Sequence, residues 1–199
     1  MRIYLSPSNQ NGNKCKHGDT ERDHCNAIVD ALIPYLDANG IEWKRAGLTE
    51  TMASRCKASD AFKADFHYCI HTNAGGGSRS VIYGYDTANA KWKKAADAIR
   101  SRRATIYPRE IRLAKNRTFY EINTPKATTI YDEVAFHDNA ADVTFIHGET
   151  DAIAREIAHG LCLYAGKAFI DPKAKKEQPQ VEDYMSQIAA IVDRWRGNA

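Results

Sequence analysis

The sequence predicts an α/β fold in three layers: a twisted, mostly parallel sheet with helices on both faces, plus a C-terminal amphipathic helix. Three observations carry this prediction. Short runs rich in β-branched and aromatic residues alternate with longer segments of helical period, the pattern of strands joined by crossover helices. The run "FHYCI" at 66–70 is apolar without the in-and-out alternation of a half-solvated strand, as expected where both faces of a sheet are covered. The chain has 199 residues, 43% hydrophobic and 27% charged, enough for one domain with a full core and an appendage.

Each element follows from local chemistry. "RIYLS" at 2–6 reads as the first strand, and the turn-rich "PSNQNGNKCKHGD" follows it. From Thr20 or Glu21 to about Ala38, Ile28, Ala31, Leu32, Tyr35 and Leu36 fall on one helical face, and "NG" at 39–40 supplies the stop. Pro34 lacks an N–H and predicts a local kink. "IEWKRA" is a second strand, a helix spans about Thr49 to Phe62, "FHYCI" is the third strand and "SVIYGY" at 80–85 the fourth. A helix covers about Ala88 to Arg103. An irregular segment around Tyr107–Pro108 precedes a short strand or turn and then a strand ending near Phe136. From Asn139 the pattern becomes one helical stretch ending at Gly166. Residues 1–170 form the domain, 171–180, "DPKAKKEQPQ", read as a linker, and 181–199 carry the last helix. Its face of Val181, Tyr184, Met185, Ile188, Val192 and Trp195 packs on its own domain or serves self-association.

Bulk properties exclude several classes. The net charge of +3 and the absence of a long basic run give no footprint for nucleic acid. No apolar stretch approaches the roughly 18 residues a membrane span needs, so no stable membrane insertion is expected. The N-terminus lacks a signal-peptide core, which predicts synthesis in the cytoplasm. The five cysteines show no CxxC spacing and are odd in number, as for reduced, mostly structural thiols.

Ionisable residues collect at strand ends and one helix start: Asn9 and Gln10 after the first strand, Glu21 at the helix entry, His71 ending the third strand, and Glu133 and His137 at the end of the late strand. In a parallel sheet these ends share one crevice. An imidazole and a carboxylate suit Zn²⁺ with an open position for water, and a further carboxylate would move the proton. Read singly, a strand histidine is an ordinary structural residue, and a glutamate at a helix start serves the helix dipole. The glycines at 75–77 form a permissive turn or let a substrate lie close to the backbone. They lack the order of a dinucleotide motif, and no GxSxG elbow is present. A pairing of Cys69 with His71 is conceivable on one strand face, but its apolar setting points to an inert thiol.

"ADFHYCIHTNAGGG" resembles the strand and turn that carry a zinc-binding histidine in the zinc-dependent N-acetylmuramoyl-L-alanine amidases of the amidase type 3 family. "YDEVAFHDN" resembles that family's late glutamate segment, and "GDTERDHCNAIVDAL" its helix entry with a ligating glutamate. The opening "IYLSPSNQ" takes the place of its first strand and histidine loop. The resemblance covers about residues 1–170. It implies an enzyme hydrolysing the MurNAc–L-alanine amide of peptidoglycan, with Glu21 and His71 as zinc ligands, Glu133 as catalytic acid/base and Asn73 binding substrate. Where the family has its loop histidine, this chain has Asn9. The third ligand is then His137, favoured by its place beside Glu133, or Asn9 through its amide oxygen, or His24 or His17, or no protein group. His67 starts roughly 13 Å from His71 along the strand, too far to share one ion. A compact catalytic domain without a leader suits a phage or prophage endolysin that acts on the wall after release. The competing reading is a metal-free pseudoenzyme that binds cell wall.

Overall fold

The computed structural model describes residues 1–174 and 181–196. Six strands form one sheet in the order β2-β1-β3-β6-β4-β5: β1 (Arg2–Pro7), β2 (Glu42–Arg45), β3 (Phe66–Asn73), β4 (Ser80–Gly84), β5 (Ile111–Lys115) and β6 (Thr128–Phe136). The helices are α1 (Glu21–Ala38), α2 (Met52–Phe62), α3 (Ala90–Arg103), α4 (Tyr120–Asn123), α5 (Ala140–Gly148), α6 (Thr150–Tyr164) and α7 (Val181–Arg196). β2, β1, β3 and β6 run parallel, whereas β4 meets β6 antiparallel and pairs parallel with β5. The sheet is thus mixed at one seam and otherwise parallel.

The layers are unequal. α1, α3 and α6 cover one face, where Ile3, Leu5, Ile28, Leu32, Phe66, Tyr68, Ile70, Ile130, Val134, Ile157 and Leu161 are fully buried. The other face carries a thinner apolar cluster of Cys69, Ile122 and Tyr131 with Tyr83 and Phe119 against it. That thin layer leaves room for polar side chains on the second face. The C-terminal ends of β1, β3 and β6 lie at one edge, and α1 begins above it.

Local chemistry explains the departures from the sequence reading. α1 runs through Pro34 without ending, because Leu32, Tyr35 and Leu36 around it are buried and tertiary packing outweighs one lost backbone bond. Thr51 caps α2, so that helix begins at Met52 rather than Thr49. Of the short strand or turn expected before β6, the turn is what forms, as the single helical turn α4. β5 escapes periodicity because it is a short edge strand with Arg112 and Lys115 exposed. The expected single helix after Asn139 is broken at Glu149 into α5 and α6. α7 lies within the expected 181–199, and Met185, Ile188 and Val192 of its apolar face are exposed. Most of the expected linker, 175–180, and the last three residues lie outside the described residues. Among the described residues, no helix is long and apolar enough to cross a membrane.

Candidate active site

A cleft of about 640 Å³ opens at the C-terminal edge of β1, β3 and β6, and Asn9, Glu21, His71, Asn73, Glu133 and His137 all line it. Each arrives for a local reason. Thr20 caps α1 in a reciprocal box with Asp23, which makes Glu21 the first helical residue and aims it over the sheet edge. His71 and Glu133 are direct register partners on β3 and β6, so their side chains leave the same sheet face next to one another. His137 follows the end of β6, where its N–H is held by Asn73 O at 2.8 Å.

Glu21 and His71 meet directly: His71 Nδ1 lies 2.9 Å from Glu21 Oε1. The second carboxylate oxygen accepts from Asn13 Nδ2 at 2.6 Å. Burial alone would raise the Glu21 carboxyl, but hydrogen bonds from His71, Asn13 and Ser8 hold it below its ordinary value. The His71 ring stacks on Tyr131, with centroids 4.5 Å apart and planes 20° from parallel. Its Nε2 is buried with no hydrogen-bond partner.

Glu133 is only 8% exposed, and its Oε2 is buried without a partner. Desolvation, with the nearby charges of Glu21 and Asp132, pushes its carboxyl up to about 8. A carboxyl in that range holds a proton at neutral pH and gives it up readily, the property a general acid/base needs.

These features test whether a zinc ion fits. An imidazole and a carboxylate sit 2.9 Å apart, and the other nitrogen of that imidazole, His71 Nε2, is buried without a partner, so Glu21 and His71 suit such an ion. Among the described residues, no third histidine, cysteine or carboxylate donor comes within 4.8 Å of both. His137 lines the cleft with Nδ1 at 3.0 Å from Thr72 Oγ1 and 3.1 Å from Thr72 O. Asn9 donates from Nδ2 to Glu50 O at 3.1 Å. His24 turns away from the pair toward Asp19, and His67 is fully buried against Glu121 at 3.1 Å.

Several cleft residues carry no sequence signal. Arg55, 2% exposed, donates to Pro7 O, Ser6 Oγ, Gly47 O and Glu50 O, fastening the end of β1 and the loop after β2 to the start of α2. Glu121 accepts from Ser6 Oγ and bonds His67. Burial would raise its carboxyl, yet these partners hold it below the ordinary value. The spacing of Arg55 and Glu121 matches no motif, and only the fold brings them beneath the site.

The three glycines have structural roles. Gly75 and Gly76 take φ of +109° and +74°, a region that favours glycine, and both N–H groups donate to Asp138 Oδ2 at 2.7 and 2.9 Å. A Cβ on Gly77 would lie 2.3 Å from the Phe136 ring. The turn therefore clamps the end of β3 to the end of β6, the two strands that carry His71 and Glu133.

Comparisons with known proteins agree with this architecture. The chain resembles the N-acetylmuramoyl-L-alanine amidase AmiC2 of Nostoc punctiforme with a TM-score of 0.73 at 18% identity, over 84% of this chain and 98% of that one. It resembles an N-acetylmuramoyl-L-alanine amidase from Clostridium difficile 630 with a TM-score of 0.75 at 18% identity, over 83% and 96%. The catalytic domain of the CD27L endolysin targeting Clostridia difficile gives 0.66 at 19%, over 85% and 99%. No curated protein matches the sequence. The family model described as N-acetylmuramoyl-L-alanine amidase matches residues 7–162, which run from the last residue of β1 into α6 and include every cleft residue named above, and the chain belongs to that family.

Proposed function

We propose that the protein is a zinc-dependent N-acetylmuramoyl-L-alanine amidase that cleaves the amide between the muramoyl lactyl group and L-alanine in peptidoglycan. The observation that supports this most is the Glu21–His71 pair with Glu133 as the strand neighbour of His71. Glu21 and His71 would hold the ion, and His137, which lies outside 4.8 Å of that pair and would have to turn toward it, would be the third donor through Nε2, because Thr72 O already engages Nδ1. Asn9, whose amide oxygen is left over from its bond to Glu50 O, is the alternative donor. When bound, zinc supplies a Lewis acid and a water acidified toward neutrality.

The protein groups supply the rest. Glu133 takes a proton from the attacking water and returns it to the departing amine, which needs a carboxyl that titrates near neutrality. Tyr131 fixes the plane of the His71 ring by stacking. Asn73 ties its own Oδ1 to Ala74 N at 2.8 Å, leaving the amide nitrogen to bind a carbonyl of the stem peptide. The setting we propose is that of a phage or prophage endolysin, made in the cytoplasm and acting on the wall after release. We also propose that the exposed Met185, Ile188 and Val192 of α7 support self-association. Sedimentation equilibrium of the full chain beside a Met185→Glu, Ile188→Glu variant tests this, and identical monomer masses for both would end it.

The replacement of the family's loop histidine by Asn9 favours one rival, a wall-binding pseudoenzyme without metal. Turbidity of purified cell walls, combined with metal analysis of protein purified without added zinc, separates the two. The amidase clears walls and exposes new L-alanine N-termini. A protein that sediments with walls yet clears none after zinc addition is the pseudoenzyme.

A further inference from the structure

A second cluster of metal-binding side chains lies outside the cleft, where the loop between β1 and α1 packs against α1 and α5. Donor atoms of Cys15, Asp19 and His24 all lie within 4.8 Å of one another. His147 of α5 reaches the same place: its Nε2 is 2.9 Å from Asp19 Oδ2, and its ring centroid is 4.5 Å from that of His24. None of these four residues lines the cleft.

We propose that Cys15, Asp19, His24 and His147 form a structural zinc site distinct from the catalytic one. A thiolate, two imidazoles and a carboxylate are the donor types of a closed four-coordinate zinc centre. The local geometry leaves lone pairs that hydrogen bonding does not use. His24 is 6% exposed, and its Nε2 lies 3.1 Å from Asp19 Oδ2 yet makes no aligned hydrogen bond, while Asp19 Oδ1 is also buried and unpartnered. Donors this close with unused lone pairs could face one shared cation.

The backbone holds the donors together before any ion arrives. Cys15 N donates to Asp19 O at 2.8 Å and Gly18 N to Cys15 O at 3.0 Å, with Gly18 at φ +99° closing the loop. His24 N donates to the Thr20 carbonyl of the helix cap. The His147 side chain is 42% exposed, which gives the ion a path from solvent. On binding, Cys15 releases its thiol proton to solvent and its sulfur donates an electron pair to the metal, with no redox change. The ion would also brace the catalytic cleft, because the same loop sends Asn13 to Glu21 and Lys16 N to His137 O at 3.0 Å.

Cobalt(II) substitution of the full chain tests the site without reference to amidase activity, since no cysteine lines the cleft. The cobalt protein should show a thiolate-to-cobalt charge-transfer band in the near ultraviolet. His71→Ala should keep that band and, in its zinc form, retain one equivalent of metal. Cys15→Ser should abolish the band, and His147→Ala, a change on an exposed position, should weaken zinc binding at least about tenfold. A cobalt-loaded wild type without the band, a band that survives Cys15→Ser, or unchanged zinc affinity in His147→Ala overturns the proposal.

Discussion

His71 and Glu21, fifty positions apart in the chain, meet at 2.9 Å across the start of α1 and the end of β3. Asn13 engages the far oxygen of Glu21, Thr72 N reaches the near one only at 3.4 Å, and His71 Nε2 is unpartnered.

Glu21→Gln keeps the shape of the side chain and removes its charge. It should lower zinc affinity at the cleft by two orders of magnitude or more, roughly the upper end of what even supporting residues contribute. His71→Ala should do the same. Competition with a chromophoric chelator measures both, and wild-type affinity in either variant would remove the pair from the metal site.

Asn9→His places a zinc-ligating side chain in the loop after β1, where the proposed function makes Asn9 the alternative donor. If Asn9 is next to the ion, the new imidazole should raise zinc affinity at least about tenfold. If His137 is the third ligand, His137→Ala should instead lower affinity and activity together. Running both variants in one chelator titration decides which corner the third donor occupies.

Glu133→Gln should reduce wall clearing by about 10²–10⁴-fold while sparing the metal. It should also change stability in a definite direction. The folded carboxyl is pushed up to about 8 from 4.5, so between those values the folded state binds a proton that the unfolded state has lost. Stability of the metal-free protein then falls as pH rises through this window. Each tenfold difference in proton affinity between the folded and unfolded states is worth about 1.4 kcal/mol, so the loss amounts to a few kcal/mol. Urea denaturation in chelator at about pH 5 and about pH 8 should show this loss in wild type and a flatter profile in Glu133→Gln. Parallel pH profiles would mean that Glu133 is solvated.

Arg103 from α3 is buried against Asp132, the residue before Glu133, and both are inaccessible to solvent. Its Nη2 also donates to Val134 O at 2.8 Å, and Tyr68 OH donates to Asp132 Oδ2 at 2.9 Å. Arg103→Met would leave a buried carboxylate with one neutral partner, which should cost about 3–5 kcal/mol in chemical denaturation. A loss below about 1 kcal/mol would mean that water reaches Asp132.

What sequence could reveal followed from what each feature depends on. Phe66 to Asn73 announced a covered strand because its composition alone requires burial, and Glu21, His71 and Glu133 could be placed together because parallel strand ends share an edge. β5 stayed hidden because Ile111 and Leu113 alternate with charges on an edge strand, and the α5–α6 break at Glu149 leaves helical periodicity almost intact. The antiparallel seam between β6 and β4 depends on strand order, which no local pattern encodes. Arg55, Glu121 and Tyr131 entered the cleft unannounced for the same reason: their neighbours there are tertiary.

Two helix glycines should respond oppositely to the same substitution. Gly160 lies where α6 crosses α3, and a Cβ there would stand 2.6 Å from Ile99 Cα and 2.9 Å from its backbone nitrogen. Backbone cannot swing aside as a side-chain tip can, so Gly160→Ala should force the helices apart and cost about 1–3 kcal/mol, more than the helix-propensity gain of up to about 1 kcal/mol. Gly148, the last residue of α5, would bring its Cβ near nothing within 4 Å, so Gly148→Ala should be neutral or stabilising by up to that same propensity gain. Thermal unfolding of both variants beside wild type gives the comparison internal control. Equal shifts in Tm would mean that α3 and α6 do not approach as closely as Ile99 and Gly160 require.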